Sequence, residues 1–282
     1  LHKAIRRQRQ MCIRDRDIKG GLNDVVMNNS PIDIDKLIEG TNEILTANRN
    51  SLQLFDMLHS MRQFDDLTYV HSVNVALIAS ILGQWLKFSE KDIRILTISG
   101  LLHDIGKIMI PNEILTKPGK LTVAEYNIMK QHVNFGYEKV KNQNIDIRIK
   151  EACLLHHEKC DGTGYPFGLK SDHIPAVAKI IAIADVYDAM TSARVYRGAL
   201  CPFEVIDTMY KDAFTKFEPE YILPFLKNVA SSYINNDVRL SDGRIGKVVL
   251  INENALSLPI VQCEDEFIDL SKTRELTVSA IL

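Results

Sequence analysis

The chain has 282 residues, 46% of them hydrophobic and 25% charged, a composition that can bury one substantial core and a small second unit. Its net charge of −2 lacks the basic excess that a long nucleic-acid backbone requires, so neither DNA nor RNA is an expected partner, whereas a small anionic ligand is compatible with it. The five scattered cysteines form no CxxC pair and no apolar run approaches the roughly 18 residues of a membrane span, which predicts a cytoplasmic protein without such a span.

The N-terminus contains the hexapeptide MCIRDR at 11–16, which resembles the translated end of a transposon used to prepare sequencing libraries. We therefore predict that residues 1–16 are a non-native artefact and exclude them from the fold; the alternative is a polar helical start. On this prediction the native protein can extend further upstream, where a sensory or receiver domain could precede it.

The next part of the chain predicts packed helices. Residues 17–50 are interpreted as an N-terminal helical or linker segment, and the apolar residues from Ile32 to Lys87 recur at helical spacing, which indicates two or three helices. Ser89 is typical of an N-cap, with an acid in the first turn that follows. The helix that it begins is predicted to end on His103-Asp104, and Pro111 prevents its continuation.

Further helices follow. Thr122 and Glu125 have the spacing of a capping box, which predicts one helix that carries His132 and Val140. Three more helices are predicted near 147–157, after Pro175 and after Pro202. The chain is therefore predicted to be all-α through about residue 234.

The C-terminal part of the chain has a different pattern. Asp242-Gly243 lies between two alternating or apolar runs, which is a strong signal for a β-hairpin. Residues 259–263 and 266–270 could add two short strands. We predict a small β-rich module at 236–282 after a catalytic domain at 51–235.

Histidines and acids lie at the predicted ends and faces of these helices. His71 on its apolar helix could be an ordinary core histidine, and His132 could equally lie on the surface. Asp104 is different, because an acid buried at an apolar helix end costs several kcal/mol unless a cation or hydrogen-bond donors meet it. His156 and His157 are about 100° apart on a helix, so they converge on one region only where the helix ends.

The set as a whole favours a metal site. Asp185 lies in the middle of an apolar helix, with Asp188 on a neighbouring face. Five imidazoles and two carboxylates on separate helices suit first-row metals such as iron or manganese, with a carboxylate able to bridge two ions. A mononuclear zinc site would need only about three or four of these ligands.

Three motifs make the pattern specific. HDIGK at 103–107, HHEKCDGTGYP at 156–166 and DVYDAMTSARVYR at 185–197 together resemble the HD-GYP family of cyclic di-GMP phosphodiesterases, a branch of the HD hydrolase superfamily. The resemblance extends over roughly residues 60–215 and does not include the β-rich tail. It implies a mainly α fold, an HD-superfamily helical bundle with a small C-terminal β appendage.

The resemblance also implies roles for individual residues. The implied metal ligands are His71, His103, Asp104, His132, His156, His157 and Asp185, with Asp104 as the bridge. Lys107 would contact the substrate phosphate and the attacking water, whereas Asp188, Arg194 and Arg197 would contact the guanine or phosphate groups. The remaining motif residues would have structural roles or orient ligand imidazoles: Glu158, Asp161, Gly162, Gly164, Tyr165 and Pro166.

The implied activity is hydrolysis of cyclic di-GMP to pGpG, which a second cut could convert to GMP, by a hydroxide activated by two divalent metal ions, iron or manganese; the sequence does not decide whether the end product is pGpG or GMP. Two ions rather than three are expected, because Leu67 occupies the position four residues before His71 where members with three metals have glutamate. A diguanylate cyclase (GGDEF) is a further expected partner. Helices that precede a catalytic domain often mediate dimerisation, so a homodimer is compatible with the sequence, which leaves the oligomeric state open.

Two other classes of function compete with this prediction. Another HD hydrolase, acting on a nucleoside phosphate or an alarmone, would share His71, His103-Asp104 and Asp185 without needing the GYP turn. A non-hydrolysing receptor would keep the fold and bind the nucleotide or a cyclase, although such receptors usually lack ligands that are all present here. The sequence does not decide between cyclic di-GMP and a mixed cyclic GMP-AMP.

Overall fold

The structure is a computed structural model that describes residues 24–28, 30–47, 55, 67–192, 199–273 and 275–282. The segment predicted to be non-native, 1–16, lies outside these residues. The chain forms two compact units: the described residues up to 188, apart from Phe55, belong to the first, and Phe55 and the described residues from 189 onward belong to the second. The domain bounds predicted from the sequence, 51–235 and 236–282, stay predictions.

The first unit is helical. Its helices are α1 (Ile34–Ala47), α2 (Leu67–Trp85), α3 (Glu90–Leu102), α4 (Asn112–Leu115), α5 (Val123–Met129), α6 (His132–Val140), α7 (Ile147–Leu155) and α8 (Ala176–Thr191, in this unit through Asp188). Two short 3-10 helices, Ile105–Met109 and Ser171–His173, lie between them. None of the described helices in either unit is both long and apolar enough to cross a membrane.

Helix α3 confirms the predicted start and end. The Ser89 hydroxyl accepts a hydrogen bond from the Asp92 backbone N–H at 3.2 Å, which caps the helix. The backbone leaves helical geometry at Asp104 (φ −101°, ψ 10°), and a 3-10 helix follows. Pro111 therefore does not terminate α3, and the prediction that it does is wrong; it lies at the N-cap of α4, where its carbonyl accepts from the Leu115 N–H at 3.0 Å and its missing N–H costs no helical hydrogen bond.

The capping box of α5 is confirmed, but the single helix predicted after it is wrong. The Thr122 hydroxyl accepts from the Glu125 N–H at 3.3 Å, and the Glu125 carboxylate accepts from the Thr122 N–H at 2.7 Å. Helix α5 ends at Met129, and α6 begins at His132. The break separates a helix that buries no side chain from one that buries His132, Val133 and Val140.

Helices α2 and α3 pack closely because small residues line their contact. A Cβ atom added at Gly100 would lie 2.4 Å from Ala76 Cα, so only glycine allows this approach. Further along the same contact, the buried hydroxyls of Ser80 and Thr97 lie 2.7 Å apart and form a hydrogen bond. The packing holds the N-terminal part of α2, with His71, near the end of α3, with His103.

The second unit contains helices and the β-rich tail. Its helices are α9 (Pro202–Lys211) and α10 (Pro219–Ser232), and its strands are β1 (Asp237–Leu240), β2 (Ile245–Leu250), β3 (Ile260–Cys263), β4 (Glu266–Asp269) and β5 (Val278–Ile281). The strands form one antiparallel sheet in the order β4-β3-β2-β1-β5. The predicted fold class, mainly α with a small C-terminal β appendage, is confirmed.

The sheet contains the hairpin and the short strands that were predicted, and one strand that was not. The predicted hairpin is present, with Gly243 at φ 92° in the turn between β1 and β2. Strands β3 and β4 confirm the two short strands expected near 259–263 and 266–270. Strand β5 was not predicted, because it is only four residues long and pairs with β1, about 40 residues away, rather than with its neighbour in sequence.

Candidate metal centre

All seven predicted metal ligands lie in the first unit, and five of them lie at or next to helix ends. His71 is on α2 and Asp185 is on α8. His103 is the C-cap of α3, with Asp104 next to it, and His132 is the first residue of α6. His156 is the C-cap of α7, so it and His157 follow the helix end, and their ring centroids lie 4.2 Å apart. The prediction that this pair needs a helix end is confirmed.

Asp104 lies between two groups of imidazoles. Its Oδ2 atom is 3.2 Å from His103 Nε2 and 3.6 Å from His71 Nε2. Its Oδ1 atom is 3.3 Å from His132 Nε2 and 3.8 Å from His156 Nε2. The two oxygens of one buried carboxylate therefore face two different sets of nitrogen atoms, which is the arrangement expected of a residue shared by two cations.

Asp185 faces the same region from α8. Its Oδ1 atom is 3.0 Å from His71 Nε2, and its Oδ2 atom is 3.9 Å from His157 Nδ1. The residue Asp185 is 8% exposed, so it is a buried acid, as the sequence predicted. Asp185 thus adds a second carboxylate beside the group that contains His71.

Three of the imidazoles are oriented by backbone carbonyls. The Nδ1 atoms of His103, His132 and His156 donate to the carbonyl oxygens of Gly100, Met129 and Ala152 at 2.8, 2.7 and 2.9 Å. With the proton on Nδ1, the lone pair of a neutral imidazole is on Nε2 and points at the shared region. All three Nε2 atoms are buried and make no hydrogen bond within the described part of the chain.

Burial keeps two of the imidazoles neutral. It lowers the pKa of His132 to about 4, and it also holds the pKa of His157 well below its ordinary value. His71 differs: burial lowers its pKa, but hydrogen bonds to Asp185 and Asp188 outweigh burial and raise the pKa to about 9. In the metal-free chain His71 therefore holds a proton, which a bound cation would displace.

The carboxylates stay ionised. Burial alone would raise the pKa of Asp104, but the charges of His103 and Lys107 hold it well below its ordinary value. Burial would raise the pKa of Asp185 too, but the hydrogen bond from His71 keeps it low. Asp104 Oδ1, by contrast, faces the buried Nε2 atoms of His132 and His156, and none of these three atoms has a hydrogen-bond partner among the described residues, an arrangement that a cation would stabilise.

The residues present therefore fit divalent metal ions. Two overlapping groups each have their ligand atoms within 4.8 Å of one another: His71, His103 and Asp104; and Asp104, His132, His156 and His157. The donors are imidazole nitrogens and carboxylate oxygens without thiolate, a set that suits first-row divalent metals. Each of the two groups could hold an ion.

The residues predicted to contact the substrate do not lie together: one is at the edge of the cluster, one is buried, and two are outside the described residues. Lys107 lies at the edge of the cluster: its ammonium group forms an ion pair with Asp104, and its side chain is 24% exposed. Arg194 and Arg197 lie outside the described residues. Asp188 is 1% exposed, and its Oδ2 atom lies 2.7 Å from His71 Nδ1. The structure thus buries Asp188 behind His71, a predicted metal ligand, rather than exposing it for the predicted contact with guanine or phosphate.

The loop after the histidine pair is organised by Glu158. Its buried carboxylate accepts hydrogen bonds from the backbone N–H groups of Phe167, Gly168 and Leu169 at 2.7, 3.1 and 2.9 Å. These described bonds do not go to a ligand imidazole. Asp161 accepts from the backbone N–H of Thr163 at 2.9 Å, which is the geometry of an Asx turn.

The glycines and the tyrosine of this loop have separate roles. Gly162 has φ 82°, a conformation that favours glycine, whereas Gly164 is needed because an added Cβ would lie 2.5 Å from Glu158 Cα. The peptide bond between Tyr165 and Pro166 is cis. The Tyr165 ring stacks on the ring of His157, with centroids 4.7 Å apart and an angle of 26° between the planes. The loop thereby places an aromatic ring against His157, a predicted metal ligand.

Two residues important for the cluster were not identified from the sequence. Gly106 packs against α6: an added Cβ would lie 1.9 Å from the His132 carbonyl oxygen. Asn74 is 1% exposed and donates to Asp188 Oδ1 at 3.0 Å. The signals that could have found them are a glycine directly after the buried acid of HDIGK and an amide on an otherwise apolar helix face, three residues after a histidine.

The fold and the cluster together define a helical protein with a histidine and aspartate site suited to divalent metal ions. A family model described as an HD domain matches residues 39–221. The chain therefore belongs to the HD domain family, which confirms the family inferred from its motifs.

Individual relatives agree with this assignment. The chain is 36% identical over 203 residues to a cyclic di-GMP phosphodiesterase of Pseudomonas aeruginosa. This alignment covers 72% of this chain and 49% of that protein. It is 36% identical over 197 residues to the cyclic di-GMP phosphodiesterase response regulator RpfG of Xanthomonas campestris, with 69% and 52% covered. The chain thus spans about half the length of the curated relatives it matches.

One solved structure supports the fold. Bd1817, described as an HDG"Y"P protein from Bdellovibrio bacteriovorus, aligns with a TM-score of 0.57 over 76% of this chain and 69% of that one. The sequence identity is 18%, so this likeness shows the shared fold alone.

Proposed function

We propose that this chain is a metal-dependent phosphodiesterase that hydrolyses cyclic di-GMP to pGpG, which a second cut could convert to GMP. The observation that carries the proposal is the placement of Asp104, whose two oxygens face two sets of buried imidazoles. Hydrolysis of a phosphodiester at neutral pH is the chemistry for which paired metal ions are used. The two relatives named as cyclic di-GMP phosphodiesterases support the choice of substrate.

Two divalent ions, iron or manganese, would be held by the cluster. His71, His103, Asp104 and Asp185 would hold the first, and Asp104, His132, His156 and His157 would hold the second. When bound, the ions would polarise the phosphoryl oxygens and lower the pKa of a water molecule. Two ions rather than three remain the prediction, because Leu67, one turn before His71, has no ligand atom.

The side chains around the cluster would orient the substrate. Lys107 can turn its partly exposed side chain and donate from its ammonium group to a phosphate oxygen once cations share the charge of Asp104. The Tyr165 ring would form one wall of the cleft beside His157. The sequence predicts that Arg194 and Arg197 contact phosphate or guanine, and both contacts remain part of the proposal. The predicted contact of Asp188 does not, because this residue is buried.

A direct assay tests the proposal. Anaerobically purified protein is incubated with Mn²⁺ or Fe²⁺ and cyclic di-GMP, and the products are separated by chromatography. We expect pGpG, followed by GMP. The mixed cyclic GMP-AMP and an alarmone serve as parallel substrates, which separates this activity from that of another HD hydrolase. Binding of cyclic di-GMP without any product under either metal would contradict the proposal in favour of a receptor.

The bridging role has its own prediction. In Asp104→Ala both cation sites should weaken together and hydrolysis should vanish, because each group loses its common carboxylate. Metal content per chain and turnover measure this. Asp172→Ala, at an exposed acid paired with His173, is the matched control and should keep both ions. Turnover retained by Asp104→Ala would show that the bridge is assigned to the wrong residue.

The two partners expected from the sequence, a diguanylate cyclase and a second copy of this chain, are proposals as well. A diguanylate cyclase (GGDEF) partner would supply the substrate beside this chain, and a homodimer would pair two such chains. Size-exclusion chromatography with light scattering tests the dimer without reference to activity.

A further inference from the structure

Helices α2 and α8 each carry a predicted metal ligand and, three residues later, a buried polar side chain. On α2 these are His71 and Asn74, and on α8 they are Asp185 and Asp188. Residues three apart lie on the same side of a helix, so each buried side chain lies about one turn from its ligand. We propose that Asp188, held by Asn74, is a positioning residue that acts through His71 to assemble the first of the two cation sites.

The contacts show how the pair could do this. Asp188 Oδ2 lies 2.7 Å from His71 Nδ1, and Asp188 Oδ1 accepts from Asn74 Nδ2 at 3.0 Å. Asp188 and Asn74 are each 1% exposed. Because a carboxylate only accepts, the proton between Asp188 and His71 lies on Nδ1, and the Nε2 atom is directed at Asp104 and Asp185.

His71 is distinguished from the other oriented imidazoles by the charge of its partner. His103, His132 and His156 donate from Nδ1 to neutral backbone carbonyls, whereas His71 donates to a carboxylate. A carboxylate partner makes an imidazole a stronger electron donor and fixes its orientation. The contact also joins α2 to α8, so it sets the separation of His71 from Asp185, which is 3.0 Å between Nε2 and Oδ1.

The consequence is a difference between the two cation sites. The first group, His71 with His103, Asp104 and Asp185, depends on this pair. The second group, Asp104 with His132, His156 and His157, takes its orientation from carbonyls on other helices and the stacking of Tyr165. Loss of Asp188 should therefore weaken one site selectively.

The inference rests on the proposed dimetal phosphodiesterase, and its test uses metal binding as the main readout. Metal-free protein is titrated with Mn²⁺, and the free ion is followed by electron paramagnetic resonance. In Asp188→Ala one class of site should weaken by about 10- to 100-fold, so that one ion per chain binds tightly instead of two. Turnover of cyclic di-GMP should fall in kcat, with KM changed far less, because Asp188 does not contact the substrate.

A second variant separates charge from orientation and keeps the test decisive if Asp188→Ala fails to fold. An amide at 188 has one acceptor oxygen, which can serve His71, and its NH2 group would then face Asn74. Asn74 can turn its own amide to meet it, since its Oδ1 atom has no hydrogen-bond partner among the described residues. Asp188→Asn should therefore fold and weaken the same class of site by a smaller factor than alanine does.

Thr97→Val is the matched control, because it removes a buried hydrogen bond of 2.7 Å to Ser80 on α2, outside both groups. It should keep two tight sites. Two tight sites in both Asp188 variants, equal weakening of both classes, or a wild-type chain that binds fewer than two ions would overturn the inference. A wild-type chain that binds two ions with the expected dependence on Asp188 but hydrolyses nothing would contradict the proposed function and leave the inference standing.

Discussion

Individual imidazoles of this centre are oriented by hydrogen bonds from Nδ1, the ring nitrogen that points away from the centre. His103 and His156 follow the ends of α3 and α7, and each donates from Nδ1 to a carbonyl in the last turn of its helix. Carbonyls in the last turn of a helix are short of helical donors, and the ring N–H groups supply further ones: His103 donates to Gly100, and Ala152 accepts from both the ring and the backbone N–H of His156. The local chain therefore sets the tautomer of these ligands, and the cluster needs no separate element to orient them.

At the residue scale we predict that the ring of Tyr165, and not its hydroxyl, supports His157. The rings stack at 4.7 Å, and an aromatic pair of this kind contributes about 0.5–1.5 kcal/mol, which is roughly a 2- to 10-fold change in affinity. Tyr165→Ala should weaken the second class of Mn²⁺ site by this factor, and Tyr165→Phe should bind as the wild type does. If phenylalanine weakens binding as much as alanine, the hydroxyl is the important group.

Among the elements, the 3-10 helix after Asp104 and helix α6 have the closest backbone contact at the site. Gly106 lies so near the His132 carbonyl that an added Cβ would be 1.9 Å from its oxygen, and 2.4 Å from Gly136 N. The glycine thus allows the segment that carries Asp104 to touch the first turn of the helix that carries His132. Close approach of two elements, rather than a turn, explains this glycine of the motif.

At the element scale we predict that Gly106→Ala is destabilising, by about 1–3 kcal/mol, because either the segment or α6 must move. Urea unfolding measures the loss of stability, and Mn²⁺ titration should show weaker binding at the group with His132. Gly136→Ala is the control from the facing helix, since the nearest atom to its added Cβ is at 3.3 Å. Equal stability of the two variants would contradict the assignment.

For the molecule as a whole, the predicted ligands are unevenly distributed. All seven lie in the first unit, whereas the described residues of the second unit contain no group of histidines, cysteines and acids that could hold a metal ion. The five-stranded sheet is built on alternating buried residues such as Val238 and Leu240, which serve packing. Cation binding should therefore act on the stability of one unit.

At this scale we predict a localised response to metal. Mn²⁺ at 100 times its dissociation constant stabilises the state that binds it by about 2.7 kcal/mol. Hydrogen exchange followed by mass spectrometry should show slower exchange in α3, α6 and α7 after Mn²⁺ is added, and unchanged exchange in β1 to β5. Addition of a chelator should reverse the effect. Equal slowing in the sheet would show that the two units open together.

Much of the fold could be predicted because its signals are local. The caps at Ser89 and Thr122 and the hairpin at Asp242-Gly243 depend on residues within a few positions of one another. The single helix predicted after Thr122 was wrong because the break at Lys130 follows from what each half buries, which is a tertiary property. Strand β5 was missed for the same kind of reason, since its partner is distant in sequence.

The amino-acid sequence supplies the chemistry available to this protein, which is a set of imidazoles and carboxylates on the faces and at the ends of helices. How these groups are used is set by the tertiary structure. It directs the two oxygens of Asp104 to different imidazoles, and it pairs Asp188 with His71, 117 residues away, instead of leaving it to contact a substrate. Spacing along a helix shows which face a residue shares, but the neighbour across that face is set by the packing of other helices.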